Sequence, residues 1–143
     1  MKSVVELVDV MKVSDEESIL LTGAKKVMSR LQKKFLLWDR SWLPLHWENR
    51  VFLWQQKIRK EIIKAFQTNA VDTTGAGDSF WGGVLCSILS INKPVEKMEW
   101  EEIRKCAVLG NAVAGLCVQK RGGIPAIPTK EAVLEFMMWY KKS

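Results

Sequence analysis

The chain has 143 residues, of which 48% are hydrophobic and 27% charged, and its formal net charge is +6. This length suits one domain with a substantial core, and the composition excludes a disordered or fibrous chain. No apolar run approaches the roughly 20 residues that a membrane-spanning helix needs. The N-terminal stretch MKSVVELVDV carries acidic residues, unlike a secretion signal. We therefore expect a globular protein of the cytoplasm with no membrane partner.

The three cysteines are Cys86, Cys106 and Cys117. They are too few and too irregularly spaced for a disulfide framework or a zinc site. We interpret them as small buried hydrophobic residues in a reducing compartment.

The positive charge is concentrated in one segment. Residues 24–66 hold eleven basic and three acidic residues, whereas residues 1–23 are acidic and residues 67–143 are nearly balanced. The basic segment also contains several tryptophans, and basic residues interleaved with aromatic ones can bind single-stranded nucleic acid. A nucleic-acid partner is therefore an alternative that the rest of the sequence has to test.

The first elements in chain order are a strand and a short helix. Residues 4–13 alternate apolar and polar positions and predict a strand. Ser14 is the predicted N-cap of a helix that ends at Thr22-Gly23. Residues 24–34 are compatible with a helix, and Phe35-Leu36-Leu37 can begin a buried strand. Between residues 38 and 54 the apolar residues follow neither the helical nor the strand period, so no regular element is predicted there.

The second half of the chain reads mainly as helices. Apolar residues at helical spacing over 80–89 predict a helix that Asn92-Lys93-Pro94 ends. A second helix is predicted from about Trp100 to Val118, and residues 122–128 have the composition of a loop. Thr129 is the predicted cap of a last helix that runs through Tyr140. Strand-helix alternation in this order predicts an α/β sandwich with a largely parallel sheet.

The stretch AVDTTGAGDSFWGG, residues 70–83, carries the candidate chemistry. Gly75-Ala76-Gly77 precedes a helix, so its backbone N–H groups can converge on an anion such as a phosphate. The carboxylate of Asp78 repels an anion, and it makes sense as a base that deprotonates a hydroxyl attacking the phosphate. Asp72 and Thr74 offer oxygens for a cation. A glycine-rich strand-to-helix turn with Asp78 as a simple N-cap is the alternative.

The longer string DTTGAGDSF resembles the C-terminal signature of the ribokinase/PfkB family of carbohydrate kinases. KVSDEESILLTG at 12–23 is similar to the segment ahead of the family's nucleotide site, and NAVAGLCVQKRGGIPAIP at 111–128 is similar to its closing helix and loop. Among family members, the sequence of these stretches is most similar to that of fructokinases. The resemblance implies a ribokinase-like (Rossmann-like) α/β sandwich with a mostly parallel sheet, incomplete at the N-terminal side. It also implies ATP-dependent phosphorylation of a sugar hydroxyl, with fructose as the first candidate.

The resemblance implies that residues at matching positions of this sequence have the roles they have in the family. Asp78 would be the catalytic base, and the amides of Gly75, Ala76 and Gly77 would form the anion hole for the transferring phosphoryl group. Ser14 stands where the family's Asn-x-x-Glu motif has Asn at the nucleotide, and Glu17 matches the acid that organises Mg²⁺ through water. Asn111 would lie beside the adenine. A solvated acid at Glu17 and a hydrogen-bonded core amide at Asn111 are the alternatives.

The resemblance also implies a monovalent-cation site that K⁺ could occupy. Asp72 and Thr74 would supply ligands, together with backbone carbonyl oxygens near Cys117 and Gly122. The implied small molecules are therefore ATP, Mg²⁺ and K⁺.

Family members are much longer, and their N-terminal half carries most sugar contacts. By this resemblance residues 1–143 are the C-terminal, nucleotide-binding part of a kinase domain that begins inside a strand of the family core. We expect impaired activity, because catalysis by positioning fails when one reactant is not held. A catalytically silent nucleotide- or phosphate-binding module and a non-functional fragment are the alternatives. A homodimer is left open.

Residues 38–60 depart from the family, which has a Gly-x-x-Gly turn here. Trp38, Trp42, Trp47 and Trp54 are each encoded by TGG, which becomes a glycine codon when it is read one base later. We hypothesise that residues 38–60 are read out of frame. The tryptophans and much of the basic excess would then be accidental, which argues against a nucleic-acid partner.

Overall fold

The computed structural model describes residues 43–47, 50–55 and 59–141. The chain forms two compact units, Met1–Lys64 with Pro94–Trp100, and Ala65–Lys93 with Glu101–Ser143. The strand predicted at 4–13, the helix predicted from Ser14 and the elements predicted at 24–37 lie outside the described residues.

Three strands precede the glycine-rich stretch. Strand β1 is Leu43–Trp47, β2 is Arg50–Gln55 and β3 is Arg59–Lys64, and they form an antiparallel sheet in the order β1-β2-β3. Leu43 pairs with Trp54, and Arg50 pairs with Lys64. The prediction that residues 38–54 form no regular element is therefore wrong. Val, Phe, Leu and Trp favour strands by composition, and pairing with neighbouring strands can form a sheet without sequence alternation.

The parallel sheet expected from the sequence is not present among the described strands, whose pairs are all antiparallel. Only residues 48–49 and 56–58 separate consecutive strands. Such short connections allow only antiparallel pairing, because parallel neighbours need a crossover of a dozen or more residues. The sequence segments on which the parallel prediction rested, 4–13 and 35–37, lie outside the described part of the chain.

Three helices follow, close to their predicted bounds. Helix α1 is Ala76–Ile91, α2 is Trp100–Cys117 and α3 is Lys130–Tyr140, and short 3₁₀ turns cover Val95–Lys97 and Ile124–Ala126. The break after α1 is confirmed: Asn92 is left-handed at φ 51, and its N–H donates to the Leu89 carbonyl. The cap of α3 is also confirmed, because the Thr129 hydroxyl accepts a hydrogen bond from Ala132 N at 3.3 Å.

Helices α1 and α2 cross at two glycines, Gly83 and Gly110. A Cβ on Gly83 would lie 3.0 Å from the Cα of Gly110, and a Cβ on Gly110 would lie 2.8 Å from the Phe80 carbonyl oxygen. The side chains of Phe80 and Val84 beside this crossing are fully buried. Close backbone approach at the crossing therefore sets the direction in which α1 leaves the glycine-rich turn.

Helix α3 packs on the segment that leads into this turn. The ring of Phe66 meets Tyr140 edge-on with centroids 4.7 Å apart, and Phe136 with centroids 5.2 Å apart. The N–H of Gln67 donates to the Tyr140 hydroxyl at 3.2 Å. The C-terminal helix thus anchors the chain a few residues before Asp72.

The cysteines behave in two ways. Cys106 and Cys117 are buried, as expected, whereas Cys86 is exposed, so its predicted burial is wrong. Cys86 lies on α1 away from the face that carries Phe80 and Val84, because six residues of helix turn the chain well past that face. Among residues 43–47, 50–55 and 59–141, none of the helices has the length and apolar character needed to span a bilayer.

Candidate active site

Gly75 occupies the N-cap position of α1 with φ 75 and ψ 5. This left-handed conformation favours glycine, because a side chain strains the backbone there. Space is a second restriction, since an added Cβ would lie 3.1 Å from the Cα of Gly123. The turn therefore requires glycine at position 75 for both its conformation and its close contact with a second loop.

The backbone N–H groups around this turn have different partners. The first helical hydrogen bond of α1 runs from Ser79 N to Gly75 O at 2.8 Å. The N–H groups of Gly77 and Asp78 come before it and have no helical acceptor, as in the first turn of any helix. The N–H of Ala76, in contrast, donates to the Thr73 carbonyl at 3.1 Å. The three amides predicted as an anion hole are thus adjacent, but that of Ala76 already has an acceptor.

Asp78 lies in the first turn of α1 and is exposed. The positive end of a 16-residue helix dipole is at the same place. A solvent-accessible carboxylate beside amides suited to an anion can accept a proton from a hydroxyl group brought to that anion. The two predicted parts of the chemistry, a base and an anion-binding turn, therefore share one helix terminus.

Asp72 joins two segments that are far apart in sequence. Its Oδ1 accepts a hydrogen bond from Thr74 N, and its Oδ2 accepts one from Gly122 N, both at 2.9 Å. The hydrogen bond from Gly122, followed by those from Thr74, lowers the pKa of the Asp72 carboxyl below its ordinary value, because both stabilise the charged form. Asp72 therefore acts as a carboxylate between the turn and the loop that follows α2.

That loop approaches the turn from the end of α2. Gly122 has φ 84, and the buried Cys117 thiol donates a long hydrogen bond to the Gly123 carbonyl at 3.9 Å. The Val118 carbonyl accepts from both Val71 N at 2.7 Å and Asp72 N at 3.1 Å. The end of α2 and its loop thus hold the segment that enters the turn.

The four residues predicted for a monovalent cation are brought into one region. Asp72, Thr74 and Gly122 are directly hydrogen-bonded, and Cys117 contacts the neighbouring Gly123. Carboxylate, hydroxyl and carbonyl oxygens are the donor types that hard cations prefer. The residues therefore fit such a cation by their chemistry. Each carboxylate oxygen of Asp72 also accepts one backbone hydrogen bond, from Thr74 N or from Gly122 N. Within the described ranges no group of three or more His, Cys, Asp or Glu residues forms a metal cluster.

The structure says less about the residues predicted to contact the nucleotide. Asn111 lies in α2 and is only 2% exposed. This burial agrees with a core amide, and a contact with adenine stays a prediction. Ser14 and Glu17 lie outside the described residues.

The sequence reasoning missed the contact between Gly75 and Gly123 and the link from Asp72 to Gly122. The one local signal was the Gly122-Gly123 pair, because adjacent glycines mark places where backbone approaches closely. That signal does not reveal which segment approaches.

Known proteins resemble this chain in sequence and in fold. The model of the pfkB family of carbohydrate kinases matches residues 51–130. The probable fructokinase-4 of Arabidopsis thaliana is 34% identical over 131 residues, which are 92% of this chain and 40% of that protein. The structure of the fructokinase from Vibrio cholerae O395 with fructose, ADP and calcium ion matches with a TM-score of 0.82 at 26% identity, over 94% of this chain and 42% of that one.

A ribokinase from Thermotoga maritima shares the fold, with a TM-score of 0.80 at 24% identity over 96% of this chain and 45% of that one. The fold is therefore that of the ribokinase-like carbohydrate kinases. The chain belongs to the pfkB family of carbohydrate kinases, which confirms the resemblance carried by DTTGAGDSF. It spans 40% of the length of the fructokinase-4 that it matches.

Proposed function

We propose that this chain carries the phosphoryl-transfer site of an ATP-dependent sugar kinase. The observation that carries the proposal is the left-handed Gly75 directly before α1, with the exposed carboxylate of Asp78 in the first turn of the same helix. An amide-lined helix terminus suits a phosphate, whereas an accessible carboxylate there serves a reaction better than it serves simple anion binding.

In this proposal Asp78 is the general base. Its carboxylate takes the proton of the attacking sugar hydroxyl while the hydroxyl oxygen forms a bond to the γ-phosphorus of ATP. The bond from that phosphorus to the bridging oxygen breaks, and ADP leaves with the electron pair. The proton stays on Asp78 until solvent removes it, and the exposure of this residue makes such an exchange easy.

The amides at the helix start would stabilise the transferring group. Gly75 and Gly77 are the stronger candidates, because the N–H of Ala76 donates to Thr73. Donors that point to developing charge and need no reorganisation lower the barrier, and the dipole of α1 adds to their effect.

The remaining predicted residues complete the proposal. When bound, Mg²⁺ neutralises charge on the phosphates. Glu17 would organise it through water, and Ser14 and Asn111 would contact the nucleotide. Asp72 and Thr74, with the backbone near Cys117 and Gly122, would hold K⁺.

We further propose fructose as the sugar. Fructokinases among the relatives support this choice, as does the neighbouring structure that contains fructose and ADP. The residues assigned above handle the phosphoryl group and the nucleotide, so they do not discriminate between sugars. An assay should therefore include ribose beside fructose.

The test is ADP release by the purified chain with ATP, Mg²⁺, K⁺ and either sugar. The variants Asp78→Asn and Asp78→Ala remove the base, and we expect turnover to fall 10²- to 10⁴-fold with nucleotide affinity nearly unchanged. Glu131→Gln is the matched control, because Glu131 is likewise an exposed acid in the first turn of a helix. Sugar-dependent turnover that survives in both Asp78 variants would exclude Asp78 as the base. Nucleotide binding without turnover in the unsubstituted chain would favour the silent binding module.

A further inference from the structure

The carboxylate of Asp72 holds two backbone segments that are 50 residues apart in sequence. One oxygen accepts from Thr74 N in the turn before α1, and the other accepts from Gly122 N in the loop after α2. Both hydrogen bonds are 2.9 Å long, and a charged acceptor makes each stronger than a neutral one. The residue therefore acts as a two-armed link between the segments.

The two segments also touch directly. An added Cβ on Gly75 would lie 3.1 Å from the Cα of Gly123, so the backbone of the loop lies against the N-cap of α1. The loop at Gly122–Gly123 and the turn at Gly75 therefore share a direct backbone contact. The amides of Gly75 and Gly77 belong to the same turn and must move with it.

We propose that Asp72 is a positioning residue for phosphoryl transfer, which sets the placement of the Gly75–Gly77 amides by tying the Gly122–Gly123 loop to the turn. This inference rests on the proposed function and adds, to the K⁺ contact proposed for Asp72, a role that needs no direct contact with nucleotide or sugar. Only a carboxylate can serve both arms, because asparagine offers one acceptor and one donor group. In Asp72→Asn one of the two N–H groups faces another donor.

The first readout is hydrogen exchange of the full chain without ligand. We expect amide exchange at Gly122 or Thr74 to become roughly tenfold faster in Asp72→Asn, and exchange at both to become faster in Asp72→Ala. The control variant Glu131→Gln should leave both amides unchanged. Unchanged protection of Thr74 and Gly122 in Asp72→Ala would overturn the link itself. Since this readout needs no activity, it tests the link even if the proposed function fails.

The second readout separates positioning from direct binding. Misplaced amides weaken interactions made in the transition state, so Asp72→Asn should lower kcat about tenfold or more while KM for ATP stays within about threefold. Because K⁺ cannot replace the hydrogen bond from Gly122 N, kcat should stay about tenfold or more below that of the unsubstituted chain even when more K⁺ is added. Full kcat at saturating K⁺ would overturn positioning and leave Asp72 as a cation ligand alone. A rise in KM for ATP with unchanged kcat would overturn it as well.

Discussion

The crossing of α1 and α2 can be tested with two glycines, because Gly110 is tightly packed and Gly82 has open space beside it. In Gly110→Ala the new Cβ lies 2.8 Å from the Phe80 carbonyl oxygen, 2.8 Å from Val84 Cγ2 and 2.9 Å from Phe80 Cδ2. Real Cβ atoms are not found so close to a backbone oxygen, and Phe80 and Val84 are fully buried, so the helices must separate. Overpacking of this kind costs about 1–3 kcal/mol, and the contact with backbone puts it at the upper end.

Helix propensity works in the opposite direction. Alanine is favoured over glycine inside a helix by about 1 kcal/mol, so we expect Gly110→Ala to lower the free energy of unfolding by about 2 kcal/mol net. Gly82→Ala is the matched control, since its Cβ meets nothing within 4 Å. That variant keeps the propensity gain alone and should stabilise the chain by about 0.5–1 kcal/mol. Urea denaturation followed by circular dichroism measures both. Equal stability of the two variants would refute the tight crossing.

Two further predictions concern the turn and its link. Gly75→Ala places a Cβ on a residue with φ 75, at 3.1 Å from the Cα of Gly123. We therefore expect the free energy of unfolding to fall by about 1–2 kcal/mol in urea denaturation, and ATP to bind more weakly in a calorimetric titration. Wild-type values for both would contradict the strained turn. Because hydrogen bonds lower the pKa of Asp72 in the folded state, this residue stabilises the fold above its unfolded pKa, and that stabilisation is lost as the pH falls through the lower folded value. Urea midpoints measured from neutral to strongly acidic pH should therefore fall less in Asp72→Asn than in the unsubstituted chain, and identical slopes would contradict the assignment.

Local sequence signals predicted the helices well. The break at Asn92, the start of α2 near Trp100 and the cap at Thr129 depend on neighbouring residues, so the sequence contains what determines them. The same holds for Gly75 as a turn before a helix, and its part in anion binding stays a prediction. The motif DTTGAGDSF added a family resemblance that the family match confirms.

The strands and the long-range links were not predictable in the same way. β1 and β2 have no alternating pattern, and their pairing depends on neighbours that local periodicity does not encode. The link from Asp72 to Gly122 spans 50 residues, and nothing near either residue indicates the other. Cys86 was predicted to be buried from its residue type alone, whereas it lies on a side of α1 where Leu85 is 42% and Leu89 is 78% exposed.

The hypothesis that residues 38–60 are read out of frame stays a proposal. The family match begins at residue 51, so it leaves out residues 38–50 but includes residues 51–60, which argues against a shifted frame in that second part. Sequencing the transcript across codons 35–66 tests the idea. Glycines at positions 38, 42, 47 and 54 follow from TGG whatever the next base is, so the rest of the shifted frame decides. A frame without a stop codon across codons 38–60 would support the hypothesis, and a stop codon in that frame would contradict it.

The central claim is that the turn from Gly75 to Asp78 transfers a phosphoryl group to a sugar. The most direct measurement is the transfer of labelled γ-phosphate from ATP to fructose by the purified chain, beside Asp78→Asn at saturating ATP. We predict labelled sugar phosphate from the unsubstituted chain, at the impaired rate expected above, and a rate at least 10²-fold lower from the variant. Equal rates from the two proteins would contradict the claim.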